Sequence, residues 1–198
     1  MIAIDVESTG LDPHRDSILS IGALDMDEPA NQFYGECRIW DGAHVEDAAL
    51  AVNGFTREEI SDPSRMTEAE LVRAFIAWAE DRPKDRTLLG QNVSFDRDFV
   101  AAAAKRARVE SPFPHRSIDT HTLAWMHMTV RGVLIPEKNG HDAISLDYAL
   151  RYCGLPSEPA PHNARNGAYA HAEVAARLAY TRKLLPDFMQ YDIPWQNT

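Results

Sequence analysis

A single mixed α/β domain is predicted by three features of the sequence. The chain has 198 residues, enough for one domain with a sizeable core. Apolar and β-forming segments fill the first forty residues, and helical spacing then takes over, interrupted by one short apolar run. Hydrophobic residues make up 44% and charged residues 25%, the ordinary balance of a globular protein.

The elements follow in order. "MIAIDVESTG" opens as a short strand ending near Asp5 to Glu7. Residues 16–26 and 31–40 read as second and third strands, the third rich in aromatic and β-forming residues. Their short links suggest an antiparallel meander. "VEDAALAVNGF" reads as a short helix closed by Gly54. "SRMTEAELVRAFIAWAED" places Leu71, Phe75 and Trp78 four and three apart, a helix capped by Thr67 with Glu70 completing a capping box. "RTLLGQNV" reads as a buried strand, followed by a helix started by Ser94 and another capped by Asp119. "HDAISLDYALRYCGL" is a further helix stopped by Gly154. Residues 131–143 read as a flexible loop. A long last helix runs up to Pro186.

Composition excludes several classes. A formal net charge of −10 argues against a general nucleic-acid coat protein, although bound cations would reverse the field locally. No apolar run approaches the length of a membrane span, and no signal-peptide pattern stands at the N-terminus. Cys37 and Cys153 lack metal-ligand or redox spacing and read as reduced thiols, the expectation for a cytoplasmic protein.

Three blocks carry chemistry. In "DVE", Asp5 and Glu7 are two apart on a strand and share a face. Like charges held together are unfavourable without a cation, so the pair reads either as part of a divalent-metal site or as a solvated strand end. In "NVSFDRDFV", Asp96 stands in the first turn of a helix, which the helix dipole alone would explain, as it would Asp98. In "HNARNG", His162 is either a general base or a surface histidine.

Taken together and in this order, the blocks resemble the DEDDh family of 3′→5′ exonucleases. "IDVESTGLDPHRDSILSIGAL", "VNGFTREEI", "NVSFDRDFV", "SIDTHTLA" and "SLDYALRYCGLPSEPAPHNARNGAYAHAEVAARL" extend the resemblance over nearly the whole chain. It implies an RNase H-like fold, α/β with a mixed five-stranded sheet flanked by helices. Residues 1–185 would form the exonuclease-like domain and 186–198 an aromatic C-terminal tail. It also implies a two-metal mechanism with Mg²⁺ or Mn²⁺, cutting nucleoside 5′-monophosphates from single-stranded DNA or RNA 3′ ends. Carried over by position, Asp5, Glu7 and Asp96 are metal ligands, and His162 takes the proton of the attacking water. Thr9, Gly10, Leu11 and Phe95 would lie near the terminal nucleotide.

The family pattern places an aspartate five residues after the histidine, where this chain has Gly167. Three readings are open. His171, one turn beyond Gly167, could substitute as a ligand, which would favour Mn²⁺ over Mg²⁺; otherwise it is a partly exposed helix residue. Glu173 is turned away. Water could fill the vacancy, leaving activity low. Or the protein is a catalytically impaired nucleic-acid-binding or scaffold module.

Lys105, Arg106, Arg108 and Arg116 face one nearby acid, Glu110. They form either a phosphate-binding patch or a solvated helix end. Phe188, Met189, Tyr191 and Trp195 in the tail pack on the domain or contact a second copy in a homodimer.

Overall fold

The computed structural model describes residues 1–82 and 85–196; residues 197 and 198 of the tail lie outside the described residues. The first three strands are β1 (Ile2–Ser8), β2 (Ile18–Asp25) and β3 (Gln32–Glu36), and they form the expected antiparallel meander. Two strands of three residues each, β4 (Leu88–Gly90) and β5 (Ser117–Asp119), extend the sheet in parallel from β1, giving the order β3-β2-β1-β4-β5. The sheet is therefore mixed, with β1 at its centre.

Alternation along β1 sets the two faces. Ile2, Ile4 and Val6 point into the larger core, where they meet Phe75 of helix α3 (Glu68–Glu80) and Phe99 of helix α4 (Ser94–Arg106). Ala3 points to the other face, against Ala172, Ala175 and Ala176 of helix α7 (Ala164–Tyr180). The small side chains of α7 let it lie close on the sheet. At its first turn the approach is backbone to backbone, since a Cβ at Gly22 would overlap the carbonyl oxygen of Ala164 and lie 2.5 Å from the nitrogen of Arg165.

Local signals hold where they are strongest. Helix α1 (Asp47–Asn53) ends at Gly54 in the left-handed conformation, and the Thr67–Glu70 capping box opens α3. A second capping box, Thr56 with Glu59, starts the short helix α2 (Arg57–Ser61). Helix α5 (Thr120–Val130) is capped by Asp119, and α6 (Leu146–Tyr152) by Ser145. Helix α4 starts at Ser94 as expected but has no side-chain cap.

Three expectations are corrected. Residues 131–143 are not an unstructured loop: β6 (Glu137–Lys138) pairs with β7 (His141–Asp142) across Asn139-Gly140, both at positive φ, the hairpin turn favoured by that dipeptide. His141 and Asp142 thus precede α6 as strand. The last helix starts at Ala164 and stops at Tyr180, where Thr181 turns left-handed, rather than running to Pro186.

The basic cluster also changes. Arg106 is turned inward, donating to both carboxylate oxygens of buried Glu68 at 2.8 Å and to the carbonyl of Pro13, so it is a structural residue. Lys105, Arg108 and Arg116 remain exposed.

Of the two arrangements open for the tail, packing is what this chain adopts. Phe188, Tyr191 and Trp195 cover a core containing Leu150 and Val174, and Trp195 stacks on Tyr152 with ring centroids 5.2 Å apart.

Candidate active site

Strands β1 and β4 run parallel, and the crevice outside their carboxyl ends is where open α/β sheets place ligands. A cleft of about 360 Å³ opens there. Its walls bring together Asp5 and Glu7 of β1, Phe95 and Asp96 of α4, His162 just before α7 and His171 midway along it. Asp147 and Glu158 complete five lining carboxylates, and no Lys or Arg is among the described lining residues.

The turn between β4 and α4 explains how Asp96 arrives. Asn92 sits at φ 53°, a conformation asparagine tolerates better than most residues, and its N–H is held by Asp119. The chain thereby reverses within a few residues and swings the first turn of α4 over the end of β1. Asp96 is 3% exposed there. Phe95 leans on Phe99, ring centroids 4.7 Å apart, with the rest of its surface in the cleft.

Without a cation this concentration of carboxylates is unfavourable. Burial pushes the Asp5 carboxyl well above its ordinary range, and the charges of Asp96, Glu7 and Glu158 push it further. Asp96 is raised as well, first by burial and then by Glu7 and Asp119, although backbone N–H groups including that of Val6 oppose the shift. Burial lifts Glu7 from 4.5 to about 7, against the pull of His162. The donor set is thus hard carboxylate oxygen with uncompensated negative charge, the chemistry that suits a divalent cation.

His171 is corrected from a partly exposed helix residue to a buried one, 2% exposed. Its Nδ1 lies 2.7 Å from the Ile4 carbonyl, which can only accept, so Nδ1 carries the hydrogen. Burial lowers its pKa to about 4, against the opposing effects of the Ile4 carbonyl and Asp119. The ring is therefore neutral, and its Nε2 lone pair faces the cleft 4.0 Å from Asp5 Oδ1. Glu173 is indeed turned away, paired with Arg177 in the interior.

His162 stands at the rim with its side chain half exposed, Nδ1 4.0 Å from Glu158 Oε2. Thr9, Gly10 and Leu11 are not among the described residues lining the cleft. The Thr9 hydroxyl is buried, donating to the His44 carbonyl and accepting from the Ser17 N–H. Gly10 packs against the Asp16 carboxylate, and Leu11 is 78% exposed on the neighbouring turn.

Asp16, His44 and Glu46 form a second cluster whose ligand atoms lie within 4.8 Å of one another. Arg15 already supplies the positive charge there, 3.4 Å from Asp16 and 3.1 Å from Glu46, and Asp16 accepts the Asp12 N–H. It knits the loop after β1 to the segment before α1.

At position 167 the glycine has a steric meaning. A Cβ there would overlap Asp5 Oδ2 and lie 2.5 Å from Asp5 Cγ. Gly167→Ala is therefore expected to turn the Asp5 carboxylate out of place. Divalent-cation affinity should fall roughly 10- to 100-fold, while the helix-propensity gain of about 1 kcal/mol offsets the overlap in overall stability. Mn²⁺ titration beside thermal melting would separate the two effects.

Sequence reading missed Glu158, Asp147 and the floor residues Gln91 and Asn92 as members of this site. For Glu158 a signal existed: an acid four residues before His162, in a loop held by Pro156, Pro159 and Pro161. The search for a fourth acid went only to residues after the histidine.

The carboxylate cleft on an RNase H-like sheet defines a nuclease class, and comparison with known proteins agrees. A family model described as Exonuclease, of the RNase T type, matches residues 2–175, and the chain belongs to this family, the DEDD exonucleases. It is similar to "Ribonuclease T" of Marinobacter nauticus, 36% identical over 136 residues, 62% of each chain. "Ribonuclease T" of Pectobacterium atrosepticum is 29% identical over 181 residues, 78% of this chain and 80% of that one. The chain thus spans 62% of the length of the first of these relatives. In fold it resembles a zinc-bound E. coli Exonuclease I–single-stranded DNA complex, with a TM-score of 0.69 and 16% identity over 91% of this chain and 41% of that one. Among the described residues no helix is long and apolar enough to cross a membrane.

The raised carboxyls also fix a pH dependence for the metal-free protein. A group whose folded pKa is raised binds more protons in the folded state, so its contribution to stability is lost as pH rises toward that pKa. For Glu7 the window runs from 4.5 to about 7, and Asp5 and Asp96 act in the same direction. His171 has the opposite sign, adding stability as pH rises from about 4 to 6.5. Above pH 6.5 only the carboxylates remain, so melting in EDTA should fall toward pH 8. Saturating Mn²⁺ should reverse that trend, because the ions favour the ionised ligands. Melting curves with and without Mn²⁺ between pH 6.5 and 8 would check both halves.

Proposed function

We propose that the protein is a metal-dependent 3′→5′ exonuclease that releases nucleoside 5′-monophosphates from single-stranded DNA or RNA. The observation that carries this reading is the convergence of Asp5, Glu7 and Asp96 on one cleft with no compensating cationic side chain among its described lining residues. The names of the similar proteins, a ribonuclease T and an exonuclease I complexed with single-stranded DNA, support the substrate class.

In this reading Asp5, Glu7 and Asp96 hold two Mg²⁺ or Mn²⁺ ions, with the neutral Nε2 of His171 as a further donor beside Asp5. When bound, the ions lower the pKa of the attacking water and stabilise the leaving 3′ oxygen. His162 takes the proton of that water at Nε2, since Nδ1 faces Glu158. Phe95 offers an aromatic surface to the terminal base, a contact that tolerates any sequence. Thr9, Gly10 and Leu11 stay in this reading as contacts for the terminal nucleotide beyond the cleft wall, with the exposed Leu11 side chain the one free to reach it. Residues 1–185 form the catalytic unit and 186–198 its aromatic C-terminal tail, whose Phe188, Tyr191 and Trp195 pack on the core. A homodimer would have to use surface other than the tail aromatics already packed on the core.

The test is a 5′-labelled single-stranded DNA and RNA pair, with free and blocked 3′ ends, in Mg²⁺, Mn²⁺ or EDTA. Stepwise shortening from free 3′ ends that needs divalent metal is the expected result. Binding without shortening under every condition would favour a nucleic-acid-binding or scaffold module instead.

A further inference from the structure

The family pattern asks for a fourth acidic group at 167 that this chain lacks, and the cleft contains an acidic side chain that no motif claims. Glu158 lies in the loop between α6 and α7, with its side chain 7% exposed and lining the cleft. Oε2 lies 4.0 Å from His162 Nδ1, and Oε1 is buried without a hydrogen-bond partner. A buried carboxylate oxygen left unpaired is costly unless something binds it.

We propose that Glu158 is the fourth carboxylate of the divalent-metal site, delivered by the loop before α7 in place of the acid missing at position 167. The inference rests on the exonuclease reading of the cleft. Three further observations support it. Gly167 leaves no room for a side chain beside Asp5, because the Asp5 carboxylate fills the space where a Cβ would stand. Glu158 lines the same cleft as Asp5, Glu7 and Asp96, and its negative charge acts on both Asp5 and Glu7. And the other unclaimed acid, Asp147, is exposed, so water already solvates it.

Charge counting points the same way. Two divalent cations are balanced by four carboxylates, whereas Asp5, Glu7 and Asp96 with a neutral His171 leave an excess positive charge before any phosphate enters. Oxygen donation also suits Mg²⁺, which imidazole serves poorly. Glu158 therefore removes the requirement for Mn²⁺ that His171 alone would impose. Proline at 156, 159 and 161 limits the loop's freedom, so the carboxylate is held ready rather than recruited.

The decisive measurement is Mn²⁺ and Mg²⁺ binding by calorimetry, without nucleic acid, on the full chain and on Glu158→Gln and Glu158→Asp. Metal-free melting in EDTA runs alongside. Glu158→Gln should weaken Mn²⁺ binding about 10- to 100-fold while melting in EDTA at the same or a higher temperature, because an unpaired buried charge is gone. Glu158→Asp, one methylene shorter, should fall between. Unchanged metal binding in a folded Glu158→Gln would overturn the proposal and leave the exonuclease reading standing. So would unchanged metal binding with a displaced pH–rate profile, which would make Glu158 a positioning residue for His162. If the unaltered chain binds neither ion, the reading of the cleft fails and this inference with it.

Discussion

Asp5→Asn is expected to reduce exonuclease activity about 10³-fold or more and at the same time to make the metal-free protein more stable above pH 6.5. Both effects follow from one position. Asp5 sits in the central strand, its side chain 22% exposed, with Asp96, Glu7 and Glu158 all raising the cost of ionising it. Asparagine has the same shape, so the packing of β1 against Gly167 is kept while the charge disappears. What is lost is an anionic ligand at the point where strand β1 meets the first turn of α4. The check is a pair of measurements on one preparation: single-turnover cleavage with Mn²⁺, and melting in EDTA at pH 8. Lower activity with a higher melting temperature is the expected pair, the usual opposition between a strained site and a stable fold. A variant that loses activity and stability together would mean that Asp5 acts through the fold rather than through an ion.

The parts of this molecule that could be read from sequence are those determined within a few residues. The Thr67–Glu70 capping box, the Asp119 cap and the left-handed Gly54 each depend on neighbours two to four positions away, and each stands where the local pattern puts it. Strand β5 has three half-buried residues and runs straight into α5, too short for a period-two pattern to register. The β6–β7 hairpin did carry an Asn-Gly turn signal, but its flanking residues are charged and exposed, so nothing apolar marked them as strand. His171 was misread for a different reason. Helix α7 carries small alanines that let it lie close on the sheet, and spacing alone could not show that position 171 is covered by β1 and β4. Asp5, Glu7, Asp96 and His162 were singled out through the order of the blocks along the chain, and they line one cleft. Glu158 was passed over because it precedes the histidine, whereas the missing acid was sought only after it.

Arg177→Met is expected to cost about 3–5 kcal/mol, which in a protein of this size lowers the melting temperature by roughly 10 °C. Arg177 has no exposed side-chain surface. Its guanidinium donates to Glu173 Oε1 at 2.8 Å and to four backbone carbonyls, of Cys153, Phe188, Tyr191 and Asp192, at 2.9 to 3.1 Å. Glu173 in turn accepts the N–H groups of Leu184 and Leu185 with Oε2. One buried ion pair thus ties α7, the end of α6 and the returning tail into a single hydrogen-bonded unit. Methionine matches the stem of arginine but none of its five N–H donors, so Glu173 keeps an uncompensated charge and four carbonyls lose their donor. Lysine would restore the charge without the planar fork that reaches several carbonyls at once, and should recover only part of the loss. Because the lost donors hold residues 188–192, proteolysis should shift to the segment after Pro186 before the rest of the chain unfolds. Below its lowered melting point the variant should still bind Mn²⁺, as the cleft lies at the opposite end of α7 and shares none of these bonds. An unchanged melting temperature would show that water replaces the guanidinium at the carbonyls, and that the aromatic contacts of Phe188, Tyr191 and Trp195 hold the tail without it.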